Sequence, residues 1–256
     1  MRDDRSWTLL KNTLEKSLLF PSKIDSFNDP FEAKPVVIGR NEEKIEINAT
    51  APANTEWSPI ASPIFKRLHG KELTAKEIIE GFRSSLSMIC FSRRINSGLL
   101  WGHYTSGYRG VALHFSPTND IKSPFQQGRF HWVNYEKQRP YLSFDRLRYY
   151  FNRTLSHPAG AFTPETIGAI ELQFMSSLLT WKSEEWSYEQ EARLIISSET
   201  TEITFPPEEL LSIVLGPLCT EVDEKRVRTM VSDTGRSIKI ARASLSGTDY
   251  SIEIDW

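Results

Sequence analysis

The run Ala192 to Ser198, ARLIISS, is apolar enough to be a buried strand, yet it is entered through WKSEEWSYEQE, a stretch of glutamates and indoles from Trp181 to Glu191. A chain that carries acids into the mouth of a core strand must either expose that mouth or supply partners for the charge. In extended backbone, side chains two residues apart share a face, so Glu189 and Glu191 are expected to stand side by side where the strand begins. Two such carboxylates raise one another's pKa unless a cation, water or substrate intervenes. The plainer alternative is a solvated loop in which Arg193 pairs with Glu189 or Glu191 at the surface.

The rest of the chain sets the fold class. Trp7, Leu9, Leu10, Leu14 and Leu18 recur at helical spacing, which predicts an amphipathic helix over Ser6 to Ser17 with Ser6 as N-cap, followed by a short strand ending at Pro21. SFNDPFE, 26–32, predicts a turn, because Asn28 and Asp29 bond nearby backbone and Pro30 restricts it. Phe27 and Phe31 are expected to anchor that turn in the core; Asn28, Asp29 and Glu32 are open to either a structural or a site role. TAKE, Thr74 to Glu77, has the form of a capping box and opens a helix carrying Ile78, Ile79, Phe82 and Leu86. That helix leads into SMICFS, a central strand by its unbroken apolar run. Asn96 or Ser97 caps a short helix with Leu99, Leu100 and Tyr104; Gly107 or Gly110 ends it before the strand GVALHFS.

Further strands are expected at RFHWVNY, EITFP, LLSIVLG, SIKIARASL and DYSIEIDW, and helices at Phe144 to Leu155, Pro164 to Trp181 and Thr220 to Val231. Helices and strands mix without a regular βαβ repeat. The expectation is an α+β fold, one domain over 1–256, with a mixed central sheet, flanking helices and a surface insertion at 34–70 that includes NATAPANTEWSPIASP.

Composition excludes several functions. Lys plus Arg at 31 against Asp plus Glu at 33 gives a net charge of -2, so no global field recruits nucleic acid or an anionic membrane, although a local basic patch for nucleic acid stays open. No segment offers the roughly 18 uninterrupted apolar residues of a membrane span, and the N-terminus is not a secretory signal, so a cytoplasmic protein is expected. Cys90 and Cys219 are too few for a disulfide framework or a cysteine-based zinc site and are read as small apolar core or near-core residues. The sequence contains no P-loop, GxGxxG, H-E-x-x-H or G-x-S-x-G, and no metal site is expected.

Three ordered motifs stand out: FNDPFE at 27–32, CFSRRINSGLLWGHYTSGYRG at 90–110 and WSYEQEARLI at 186–195. Together they resemble a widespread bacterial family known as a domain of unknown function, which implies no activity. Relatives usually begin with an aromatic and basic strand, where this chain has only MRDDR. Families of this kind sit beside defence or toxin genes, so the resemblance implies a bacterial effector role.

The order of residues is also similar to that of ADP-ribosyltransferases, in which a glutamate of an [E/Q]xE pair opens a strand and follows a strand serine or tyrosine. Under that resemblance Glu191 is the catalytic carboxylate and Glu189 positions or deprotonates the acceptor. Ser92 corresponds to the strand serine, Trp101 or Tyr104 stacks on nicotinamide, His103 bonds a ribose hydroxyl, and Arg94 and Arg109 hold pyrophosphate. The implied substrate is NAD, a nucleotide small molecule, with an unknown macromolecular acceptor or, in a glycohydrolase, water. The chemistry is coherent, because cleaving the nicotinamide to ribose bond develops oxocarbenium character that a carboxylate stabilises. Two other readings use the same residues: a nuclease or other hydrolase with Glu189 and Glu191 as an acid/base pair, and a binding module without chemistry.

Overall fold

The computed structural model describes residues 4–40, 42–47, 64, 67–126, 130–145, 147–148 and 178–256. Helix α1 (Asp4–Lys16) buries Trp7, Leu10 and Leu14 along one stripe, as the spacing requires. It starts before Ser6, which therefore lies inside the helix and is not its cap. Ser17 ends the helix in the left-handed region, at φ 54. Helix α2 (Ala75–Ser84) has the expected capping box: the Thr74 hydroxyl accepts from Glu77 N, and the Glu77 carboxylate accepts from Thr74 N.

The fold is α+β, as expected, and among the described residues its strands fall into several sheets, of which two are four-stranded. In chain order the strands of those two are β1 (Ser22–Lys23), β2 (Leu86–Ser92), β3 (Val111–Phe115), β4 (Phe130–Trp132), β5 (Glu191–Ser197), β6 (Leu210–Leu215), β7 (Lys239–Leu245) and β8 (Ile252–Asp255). The first sheet runs β1-β2-β5-β4 and is antiparallel throughout. The second runs β8-β7-β6-β3, with β6 and β7 parallel. A parallel pair needs a long crossover, and helix α4 (Glu221–Asp233), capped by Thr220, supplies it.

The sheets divide because of the connection after β2. Helix α3 (Gly98–Tyr104) and its exit loop carry the chain away, so Val111–Phe115 pairs with β6 instead of returning to β2. That loop packs tightly on the end of β6: Gly216 N donates to Gly110 O at 2.9 Å, and a Cβ on Gly216 would lie 2.3 Å from Tyr108 O. Only glycine fits there.

Strand alternation then assigns the cores. Ile89 and Phe91 of β2 share an apolar cluster with Leu113 and Phe115 of β3 and Ile213 and Leu215 of β6, so this cluster joins the two sheets. On its other face the first sheet sends Met88 and Ile195 into a cluster with Ile78, Ile79 and Phe82 of α2. Arg193 and Glu191 share that face with Ile195 by the period of two. They are therefore carried inward beside an apolar core.

Where the stretch 34–70 is described, it does more than cover the surface. Val36–Ile38 pairs with Tyr141–Ser143, Lys44–Ile47 pairs with Lys71–Thr74, and Ile45, Ile47, Ile64 and Leu68 are buried. NATAPANTEWSPIASP lies outside the described residues, as do most of the helices expected at 144–155 and 164–181. Trp181 is not helical: Trp181–Ser183 is a strand, parallel to Asn134–Glu136. No helix among the described residues is long and apolar enough to cross a membrane.

Candidate functional site

The acid pair meets by a route different from simple pleating. Glu184–Glu189 is a 3-10 segment, and Gln190 follows in the left-handed conformation, φ 43 and ψ 53, before β5 opens at Glu191. The kink at Gln190 turns both carboxylates toward one amine. Lys182 Nζ donates to Glu189 Oε2 at 2.5 Å and to Glu191 Oε2 at 3.0 Å. The solvated-loop alternative is overturned, since Glu189 is 3% exposed, Glu191 5% and Arg193 0%.

From this centre a hydrogen-bonded network extends in both directions, and charge alternates along the arm through Arg193. Arg193 Nε donates to Glu191 Oε1 at 2.8 Å and Nη2 to Oε2 at 3.1 Å. The same guanidinium grips Glu32 in two parallel bonds, Nη1 to Oε1 at 2.7 Å and Nη2 to Oε2 at 2.9 Å, and Nη1 also donates to the Leu179 carbonyl. A planar fork suits such bidentate pairing in a way an ammonium does not. Glu32 reaches the network because Asp29 Oδ1 accepts from Phe31 N at 2.8 Å, the expected Asx turn. Phe27 packs on the core, but Phe31 is 58% exposed, so only one of the two phenylalanines anchors the turn. At the other end Tyr104 Oη donates to Glu189 Oε1 at 2.5 Å, and Asn28 Nδ2 lies 3.5 Å from Tyr104 Oη. The Glu191 backbone N donates to Tyr135 Oη at 2.7 Å.

Burial sets the electrostatics. Desolvation would raise the Glu191 carboxyl, but Arg193 and Lys182 outweigh it and hold it down to about 2. Desolvation works against the charge on Lys182, and Glu191 and Glu189 together still raise its ammonium above the ordinary value. At Glu32 the balance reverses: burial raises the carboxyl despite Arg193. Burial, and then the bond to Glu189, push the Tyr104 phenol well up.

The other expected site residues fall into two groups. Ser92 belongs to the network: it is the register partner of Glu191, its hydroxyl donates to Glu189 O at 2.5 Å, and it accepts from Arg94 N at 2.9 Å. His103 is exposed beside Trp186 and Tyr188. Trp101 is elsewhere, 2% exposed, in a cluster with Val214, Ala241 and Ile252, its indole N–H donating to Ile95 O at 2.6 Å. A ring so enclosed serves the core. Arg94 and Arg109 are exposed and do not bond to Glu189 or Glu191; the Arg109 guanidinium turns back to Gly107 O at 3.3 Å. Cys219 is buried as expected. Cys90 is instead exposed to solvent at its surface, while the protein around it, and then Glu191, raise its thiol well above the ordinary range.

Sequence reasoning missed Lys182, the residue that joins the two acids. Its signal was present: it is the only cation between Trp181 and Glu191, against four glutamates. Trp186 and Tyr188 were visible as aromatics but had no assigned place. Among the described residues no group of three or more His, Cys, Asp or Glu could hold a metal ion.

No curated protein and no solved structure matches this chain. Over residues 100–194, a segment that takes in WGHY and WSYEQEARL and begins after FNDPFE and CFS, the chain is similar to a family described as "Protein of unknown function (DUF2971)".

Proposed function

We propose that the site around Tyr104, Lys182, Glu189 and Glu191 uses NAD as a substrate, cleaving the nicotinamide to ribose bond and passing ADP-ribose to an acceptor or to water. One observation carries this reading: Glu191 is kept ionised at the mouth of β5, directly across from Ser92. A carboxylate held down to about 2 carries no proton at neutral pH. It is unsuited to be a general acid, so a nuclease or hydrolase reading could not give Glu191 that role. It is suited to a fixed negative charge beside a developing cation. As the C–N bond breaks, its electron pair leaves with nicotinamide and the ribose becomes an oxocarbenium ion facing that charge. The acceptor's lone pair then forms the new bond to ribose, and the acceptor's proton passes to Glu189 or to solvent.

Tyr104, 55% exposed, is the accessible end of the network, so a substrate hydroxyl could exchange for the phenol on Glu189 Oε1. Exposed Arg94, two residues beyond Ser92, is the candidate for the pyrophosphate.

The test is nicotinamide release from NAD by the purified protein, alone and with cell lysate supplying an acceptor. Glu191→Gln is expected to lower the rate at least 100-fold, with circular dichroism confirming the fold. If neither condition releases nicotinamide, the reading fails.

A second reading, a binding module without chemistry, is favoured by a specific fact: all four oxygens of Glu189 and Glu191 already accept a hydrogen bond. It expects NAD or another ligand to bind without being consumed.

A further inference from the structure

We propose that His103, Trp186 and Tyr188 form the seat for the substrate's charged flat ring, a role the sequence assigned to Trp101 or Tyr104. This rests on the NAD-using reading and adds the residues that would recognise the pyridinium.

The three rings come from two elements. His103 projects from α3, while Trp186 and Tyr188 project from the 3-10 segment that ends at Glu189. Their centroids lie 6.4 Å apart for His103 and Trp186, 6.4 Å for His103 and Tyr188, and 6.0 Å for Trp186 and Tyr188. His103 is exposed and the other two are half-buried, so solvent reaches the cluster. His103 and Tyr188 are inclined by only 30°. A flat ring held between two others needs about 7 Å, twice the optimal carbon–carbon separation. The geometry points to a modest shift of one ring as what would admit it.

Charge selects the ligand. Aromatic faces carry negative potential and attract cations. Trp186 already accepts one, with Lys182 Nζ 4.9 Å from its centroid. The oxidised nicotinamide ring is a cation, and becomes neutral when the glycosidic electron pair returns to it, so the seat would hold the substrate more tightly than the leaving group. Position is equally specific: Lys182, which touches Trp186, also binds Glu189 and Glu191. A ring seated on this cluster lies one side chain from the carboxylates that would face its ribose.

The experiment is calorimetric titration of the full chain with NAD, with its reduced form, whose ring is neutral, and with N-methylnicotinamide, a pyridinium without the nucleotide. Wild type is expected to bind NAD at least fivefold more tightly than the reduced form. Tyr188→Ala and His103→Ala should each weaken NAD and N-methylnicotinamide binding about tenfold and remove the preference for the charged ring. Tyr188→Phe, which keeps the ring, should restore both. NAD turnover with unchanged KM in the two alanine variants would overturn the seat while leaving the NAD reading intact. Binding of N-methylnicotinamide that depends on Tyr188, without any NAD cleavage, would keep the seat and remove the chemistry. Failure of wild type to bind any of the three would remove both.

Discussion

Glu191 and Glu224 are each held by two cations, in opposite surroundings. Glu224, on α4, accepts from Arg228 at 2.7 Å and from Arg242, and the side chains of those arginines are 55% and 40% exposed. Glu191 accepts from Lys182 and Arg193, whose side chains are 4% and 0% exposed. The bond from Arg242, and then that from Arg228, lower the Glu224 carboxyl. Glu191 is lowered against its own desolvation. At the surface, water replaces a lost partner, so the triad contributes little. Inside, a lost partner leaves a bare charge in a poor solvent. Buried ion networks of this kind are seldom the most stable way to fill a core, so what this one provides is fixed geometry for two carboxylates.

The contrast can be broken most directly at Arg193. Arg193→Met leaves Glu32 and Glu191 buried without their shared cation and should cost about 3–5 kcal/mol in a urea unfolding curve. A loss below about 1 kcal/mol would place the two clusters in the same class. Replacing Glu32, Glu191 and Arg193 together by apolar residues of similar size should recover much of that loss while abolishing the site.

Acid sharpens the contrast next. The carboxyl of Glu191 falls from 4.5 to about 2 on folding. Its contribution is therefore complete above the unfolded value and disappears as pH drops through the folded one, about 3 kcal/mol in all. Glu32 has the opposite sign: its carboxyl is raised in the folded state, so protonating it on the way down offsets part of the loss. The urea midpoint followed between about pH 5 and 2 should show this limb, and Glu191→Gln should flatten it. The smallest effect is expected at the surface, where Glu224→Gln should cost under about 1 kcal/mol and be masked by 1 M salt.

Much of the scaffold was legible in the chain because it is local. The capping box at Thr74, the stripe of α1 and the apolar runs of β2 and β6 follow from spacing alone. The split into two sheets was not legible, because it depends on which distant strand Val111–Phe115 joins. At the site, Glu189, Glu191, Ser92 and Tyr104 were named and do converge. The geometry that brings the acids together was misread, since a left-handed Gln190 has no signature comparable to a glycine. Lys182 was missed because a lysine next to glutamates looks like surface.

The reach of Arg193 has a practical corollary. Its guanidinium clasps Glu32, 161 positions earlier, whereas the family match spans only 100–194. A fragment trimmed to that match would keep Lys182, Glu189, Glu191 and Arg193 but lose both the acid that completes the guanidinium's fork and the strand Leu86–Ser92 beside β5. It would also lack Leu210–Leu215, the strand that Val111–Phe115 pairs with, so such a piece should not fold to hold the network, as its circular dichroism would show.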